Sequence, residues 1–312
     1  MNLSTVFPGA SPKALRKTAV LALILALAAH GFCFFNLTYS GESVMLNAAK
    51  GSASQIASGA FLMPLYWRVR GAISAPLWVG LLSSCYLSLT VVLLCGLLGL
   101  ASPYLIAMLA GSVVLSPSVL SIFAGSIHTA DAAFLAFLLA SCAAVFCLRV
   151  RAGTLLGALL LAAAQALDRS SLSFFLGVSA ICLIQSLLKA DESARALVGH
   201  VLRILLCAAL GMAVYLGGFM LFLHRAGLDR EAALQAPAGK TVVGAWLYPL
   251  ALLFKPLTIY AHVGVVLHAL LIALGAFALL RLLPKMKGRV PALALLLLVF
   301  PLLVNLPASS TL

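Results

Sequence analysis

The sequence predicts a polytopic α-helical membrane protein, a single domain over residues 1–312, and three observations support this fold class. Hydrophobic residues make up 64% of the chain and charged residues only 9%, whereas soluble domains carry about 25% charged residues. The apolar residues form long continuous runs, such as Leu77 to Leu100, and do not alternate with polar residues as barrel strands do. Basic residues cluster between these runs. Helices satisfy their own backbone hydrogen bonds in lipid, so we expect helical spans.

The apolar runs define the predicted spans. A helix needs about 20 apolar residues to cross a bilayer, and we assign about nine such runs. The third contains Pro117, which predicts a broken helix, and the fifth is short. The predicted spans cover residues 17–39, 76–100, 102–124, 130–148, 152–168, 170–188, 198–223, 256–281 and 290–306.

The charges predict the orientation of the bundle. Lys13, Arg16 and Lys17 precede the first span, so the positive-inside rule places the N-terminus in the cytoplasm. Counting sides from there puts most of the other basic residues, including Arg149 and Arg203, on the inner side. The net charge of +13 therefore reflects topology, and no nucleic-acid partner is expected. Most acidic residues fall on the outer side: Glu42, Asp131, Asp168, Asp229 and Glu231.

Two long outer loops are predicted, at residues 40–75 and 224–255, whereas most inner loops are short. Each contains an aromatic-rich amphipathic stretch, QIASGAFLMPLYWRVRG in the first and VVGAWLYPLALLFK in the second. Such stretches lie in the membrane interface. A transporter more often places polar groups near the bilayer midplane, so the pattern favours chemistry or recognition at the outer lipid surface.

The chain lacks the common motifs for binding soluble nucleotides and for zinc-dependent or serine-dependent hydrolysis. The chain contains no GxxxxGK[ST], no GxGxxG opening a helix, no HExxH and no GxSxG. The seven cysteines fall in predicted spans without metal-binding spacing, as expected of small buried hydrophobes. We therefore expect no cofactor, and the sequence leaves a divalent metal open. A group-transfer enzyme of this kind would take its donor from the lipid phase.

Two acidic residues are candidate catalytic groups. Glu42 follows the first span in a polar stretch with Tyr39, where it would accept the proton of a sugar hydroxyl that attacks a phosphate-activated donor. The alternative is a solvated acid at a helix end. Asp131 opens the fourth span beside His128, and it would help to orient the acceptor or share the role of base. His128 would orient Asp131 or bind a hydroxyl. The alternative for Asp131 is stabilisation by the helix dipole.

Three arginines on the outer side are candidate ligands of a lipid phosphate. Arg68 and Arg70 belong to the first outer loop, and Arg169 follows Asp168 at the end of the fifth span. Arginine binds phosphate bidentately and keeps its charge. The alternatives are a solvated Asp168–Arg169 pair and arginines that extend to the interface.

His30 and His268 lie within predicted spans. A proton-coupled transporter would use such residues. The alternative is a histidine that hydrogen bonds an oxygen of a neighbouring helix.

Three segments carry a resemblance to a known family: YSGESVMLNAAKG with IASGAFLMPLYWRVRG, then SPSVLSIFAGSIHTADAAFLAFLLA, then LGALLLAAAQALDRSSLSFFLGVSAICLI. In order and character they resemble the glucosyltransferase II family, GT-C-type membrane enzymes that modify bacterial O-antigen and other surface polysaccharides. The likeness runs from about residue 15 to residue 190. It implies a GT-C-like bundle in the bacterial cytoplasmic membrane, with the active site on the outer face.

The resemblance implies an inverting transfer of a sugar, usually glucose, from a polyprenyl-phosphate donor to a lipid-linked or surface glycan. Glu42 matches the acidic general base of the first outer loop, and Asp131 matches an acid at the start of the fourth span. The sequence around these acids adds His128, Asp168 and Tyr39 as possible supporting residues. A synthase that loads the lipid and a flippase that turns it outward would be partners.

The chain also departs from the family pattern. Glu42 stands where aspartate is usual, Ala60 where arginine follows glycine, and Asp168-Arg169 where Tyr-Gln is usual. Members usually run longer, which leaves open that C-terminal spans are missing. Two other functions stay open: a flippase or other transporter of lipid-linked sugars, and an inactive relative with a structural role.

Overall fold

The computed structural model describes residues 11–35, 52–71, 75–125, 127–150, 152–189, 194–228, 266, 269–270, 273–281 and 289–309, and the elements named in these ranges are helices. In chain order they are α1 (Pro12–Phe35), α2 (Ser52–Ala57), α3 (Met63–Val69), α4 (Pro76–Leu97), α5 (Pro103–Val114), α6 (Pro117–Gly125), α7 (Ile127–Arg149), α8 (Thr154–Leu167), α9 (Ser170–Lys189), α10 (Ala194–Ala226) and α11 (Val290–Ser309).

Five of the described helices are long and apolar enough to cross a membrane: α1, α4, α7, α9 and α10. The pair α5 and α6 would make a sixth span, bent by 42°, as Pro117 led us to expect. The predicted count of about nine is not reached over the described residues. Thr154–Leu167 and Val290–Phe300 are apolar but short, and the predicted span at 256–281 lies mostly outside the described residues.

Short α8 is nevertheless central to the bundle, because it packs against both α7 and α10. Small residues let these backbones approach closely. A Cβ on Gly157 would come within 3.0 Å of the Ala143 carbonyl oxygen, and one on Gly211 within 3.1 Å of the Ala158 carbonyl oxygen. This packing sets the position of the last turn of α8, where the candidate site begins.

The break between α5 and α6 is stabilised by His30 of α1. The last carbonyl groups of a helix have no partner within it, and His30 donates from Nε2 to that of Val114, the last residue of α5, at 2.9 Å. The imidazole is 1% exposed and stacks on Phe123 with ring centroids 4.5 Å apart. Ser116 caps α6 by accepting from the Val119 N–H. His30 thus makes the bond to a neighbouring helix that the sequence left as one alternative, and His268 lies outside the described residues.

Candidate active site

The described part of the predicted first outer loop is fastened to the ends of α8 and α10. The backbone N–H of Leu62 donates to the carbonyl oxygen of Ala166 at 2.9 Å. Phe61 is 6% exposed and packs against the rings of Tyr215 and Phe222. A buried aromatic ring contributes much of the energy of such a contact. The loop is therefore packed onto the bundle from Gly59 onward.

A buried ion pair joins the end of α3 to α7. Nη1 of Arg70 lies 2.7 Å from Oδ1 and 2.6 Å from Oδ2 of Asp131. The Asp131 side chain is fully buried and that of Arg70 is 5% exposed. A buried carboxylate is stable only when it is paired and hydrogen bonded. Since α7 begins at Ile127, Asp131 lies beyond the first turn, and its partner is Arg70 instead of the helix dipole.

Tyr66 completes this group, since its hydroxyl donates to Oδ2 of Asp131 at 2.7 Å. Burial, together with the neighbouring Asp131 carboxylate, raises the pKa of the Tyr66 phenol well above its ordinary value. The phenol therefore stays protonated and keeps donating at neutral pH. With two donors on its two oxygens, Asp131 lies in a satisfied, closed setting. We call Arg70, Asp131 and Tyr66 the loop clasp.

Two donors of the same helical region lack partners among the described residues. Nε of Arg70 and Nε1 of Trp67 are buried and make no hydrogen bond there. Residues three apart lie on the same face of a helix. Unsatisfied buried donors are unfavourable, so these N–H groups are suited to donate hydrogen bonds to an oxygen of a bound molecule.

Arg169 forms a second group, at the junction of α8 and α9. Its Nε donates to the hydroxyl of Tyr215 at 2.9 Å, and that hydroxyl donates to the carbonyl oxygen of Gly59 at 3.2 Å. The guanidinium lies over the ring of Phe219, 5.5 Å from its centroid. Tyr215 and Phe219 belong to α10, so this group ties the predicted first outer loop to two helices.

Gly59 is required at this contact for two reasons. Its φ of +89° is a conformation that other residues rarely adopt. A Cβ here would also overlap the guanidinium of Arg169 and the hydroxyl of Tyr215. The guanidinium of Arg169 thus lies against Gly59. The next residue, Ala60, is the position at which the resemblance led us to expect an arginine.

Asp168 and Arg169 do not act as a solvated pair. Oδ1 of Asp168 accepts from the backbone N–H of Ser170 at 2.8 Å and from its hydroxyl at 2.7 Å. This is the geometry of an N-cap, which satisfies a free donor at the start of α9. Asp168 holds the turn, and Arg169 extends toward α10.

Four predicted site residues remain, and the structure describes two of them, Arg68 and His128. Arg68 is exposed on α3. The carbonyl oxygen of His128 accepts from Arg70 at 3.3 Å. Glu42 and Tyr39 lie outside the described residues. Within the part of the chain that is described, no group of three His, Cys, Asp or Glu residues is placed to hold a metal ion.

Sequence reasoning missed Tyr66, Tyr215 and Gly59. Tyr66 could have been found, because Tyr66 and Arg70 are four residues apart and so share a helix face. Tyr215 carries no signal in an apolar run. The segment from Gly59 to Arg70 connects the Arg169 group at one end to the loop clasp at the other. The helix between these ends, α3, is only about 10 Å long.

A sequence model of the family described as glucosyl transferase GtrII matches residues 32–310, nearly the whole chain. No curated protein and no solved structure shows a match. The matched range contains the loop clasp, Arg169 with its partners, and the apolar helices that indicate a membrane protein. The chain therefore belongs to the glucosyl transferase GtrII family of glycosyltransferases.

Proposed function

We propose that the protein transfers a glucosyl residue from a polyprenyl-phosphate donor to a lipid-linked or surface glycan on the outer face of a bacterial cytoplasmic membrane. Family membership supports glucosyl transfer. The finer proposal depends on two arginine groups, Arg70 on Asp131 and Arg169 on Tyr215, which contact the two ends of one segment of the predicted first outer loop. A GT-C-like bundle with a cytoplasmic N-terminus agrees with the basic residues around α1.

Arg169 is the residue best suited to hold the donor phosphate. Its Nε is fixed by Tyr215 and its plane by Phe219. The bond to Tyr215 uses one of the five N–H donors of the guanidinium, and the terminal Nη1 and Nη2 groups carry the other four. An arginine held through Nε can bind a phosphate bidentately with these terminal groups. Negative charge develops on the phosphate as it leaves, so a positioned guanidinium stabilises the transition state.

The proposed roles of Arg70 and Arg68 differ. Arg70 donates to Asp131 through Nη1, so we propose that it contributes Nε, with Trp67 Nε1, to an oxygen of the bound sugar or phosphate. Arg68 is exposed on the same helix and would meet phosphate at the lipid surface.

Glu42 is the proposed general base. The acceptor hydroxyl attacks C1 of the sugar, Glu42 takes the hydroxyl proton, and the C1–O bond electrons leave with the polyprenyl phosphate. Asp131 is a poor competitor for this role because both of its oxygens accept hydrogen bonds at 2.6–2.7 Å. We propose that Asp131 positions the loop, while His128, Asp168 and Tyr39 support it.

The decisive experiment compares Glu42→Gln with Glu231→Gln, an acid of the second long outer loop. Both variants are expressed in cells that display the modified glycan, and glucosylation is measured alongside the amount of inserted protein. We expect Glu42→Gln to abolish decoration and Glu231→Gln to retain it. Full decoration of the glycan by inserted Glu42→Gln protein would show that Glu42 is not the base. Loss of decoration in both variants would show that the effect is not specific to Glu42.

The transporter alternative has less support. It would use His30, but that imidazole is stacked on Phe123 and bonded to Val114, as expected of a packing residue. The donor would instead be supplied by a separate synthase that loads glucose onto the lipid and a flippase that turns it outward.

A further inference from the structure

A small polar cavity lies at the opposite end of the bundle from the loop clasp. Asp131 is near the start of α7 and Arg149 is its last residue, so the two are separated by most of a helix that is about 35 Å long. Arg149, Gln185, Ser186 and His200 line the cavity, whose volume is about 40 Å³. That volume holds about three water-sized groups, the size of a set of phosphate oxygens.

The charged wall of this cavity is held in place by the end of α4. Nη2 of Arg149 donates to the carbonyl oxygen of Leu97 at 2.7 Å, and Nε2 of Gln185 donates to that of Leu98 at 2.7 Å. These bonds satisfy carbonyl groups that a helix end leaves free. They use one guanidinium nitrogen and leave the positive charge of Arg149 on the cavity wall.

An apolar groove adjoins the cavity. It lies between α9, α10 and α11, has a volume of about 440 Å³, and is walled by side chains such as Leu176, Ala180, Val201 and Leu295. Leu183 lines both the groove and the polar cavity. From Leu176 to Leu187 the groove follows α9 for about 16 Å, which is about half of the 30 Å hydrocarbon core.

We propose that the cavity and groove together bind one anionic phospholipid from the leaflet at the Arg149 end. The phosphate lies against Arg149, which keeps its charge in such a setting, and one acyl chain fills the groove. The positive charge of Arg149 complements the charge of a lipid phosphate. The groove along α9 has the depth of about one leaflet, so we choose a phospholipid as the occupant. Bound there, the lipid packs α11 against α9 and α10, away from the proposed site of sugar transfer.

The test measures lipid bound to the delipidated full-length chain in neutral detergent by native mass spectrometry. The probes are phosphatidylglycerol, phosphatidylcholine and a polyprenyl phosphate, added separately and in competition. We expect the chain to retain phosphatidylglycerol in preference to both of the others. Equal retention of phosphatidylcholine would overturn the charge argument, and preferential retention of polyprenyl phosphate would overturn the choice of occupant.

Two matched pairs of variants locate the lipid. Ala292 lines the groove and Ala294 does not, and both are exposed alanines of α11. Ala292→Trp should lower phosphatidylglycerol retention at least about tenfold by filling the groove, and Ala294→Trp should not. Arg149→Gln keeps a donor for Leu97 but should reduce the preference for the anionic lipid about fivefold, and Arg16→Gln should not. Equal behaviour within either pair would overturn the proposed site.

Discussion

Arg70 and Asp131 form an ion pair across α3 and α7, with Nη1 of Arg70 2.6 Å from Oδ2 of Asp131 and neither side chain open to solvent. Charge is scarce in this chain, with only seven acidic residues. One of the seven, Asp131, fastens the loop that contains α3 to α7. The pair therefore links the loop that carries Glu42 to the position of α7.

Breaking this pair should destabilise the protein more than removing it altogether. Asp131→Asn leaves the Arg70 charge buried, which costs about 3–5 kcal/mol in comparable pairs. Replacing both residues, as Arg70→Met with Asp131→Leu, should recover most of that stability but no transfer activity. Thermal unfolding in detergent and a transfer assay on the same preparations measure the two effects. If Asp131→Asn is as stable as the wild type, the loop clasp does not stabilise the protein.

Gly59→Ala should abolish transfer in protein that still inserts. The substitution introduces strain at positive φ, worth about 1–3 kcal/mol, and pushes the Cβ into the Arg169 guanidinium. Gly227→Ala is the matched control, because Gly227 has φ +64° and open space where its Cβ would lie. Transfer assays at equal membrane content separate strain from contact. If the two variants lose activity equally, the Gly59–Arg169 contact has no role of its own.

The pH dependence of stability should reveal Tyr66. Burial and the Asp131 carboxylate raise the pKa of its phenol, so its contribution is complete below the pKa of the unfolded chain, about 10. It is lost as the pH rises from there toward the higher pKa of the folded state. Stability should thus fall above about pH 10 more steeply in wild type than in Tyr66→Phe.

Unfolding midpoints between neutral and strongly alkaline pH give this comparison. Tyr104→Phe is its control, because Tyr104 is 82% exposed and its loss should leave the wild-type slope unchanged. The same slope in Tyr66→Phe and wild type would contradict the assigned cause.

His30→Phe should reduce stability without reducing transfer. The phenyl ring keeps the stacking on Phe123 but leaves the Val114 carbonyl oxygen without its donor, at a cost of about 1–3 kcal/mol. His224→Phe, at an exposed position near the end of α10, should change neither quantity. Loss of transfer in stably inserted His30→Phe protein would revive a proton-carrying role.

Helical character and the broken span at Pro117 could be predicted from composition and a single proline. The central place of α8 could not be predicted, because this helix has only 14 residues and its position depends on Gly157 and Gly211 packing against other backbones. Asp131 could be singled out from the sequence because it is one of only seven acidic residues. Its pairing with Arg70 could not be predicted, since that depends on how a loop folds back over α7.

Arg169 illustrates the same limit. The sequence Asp168-Arg169 is the same whether the two side chains bind each other or bind different partners. Only the three-dimensional approach of Gly59 and Tyr215 decides between these cases, and neither residue type signals it.

The segment between Gly59 and Arg70 acts as a spacer of set length. One end is bound to α8 and α10 and the other to α7. A single inserted residue within α3 would turn Arg70 about 100° around the helix axis relative to Gly59, so only one of the two anchorages would survive. Chains that keep both anchorages are thereby restricted in the length of this loop, however freely its exposed side chains vary.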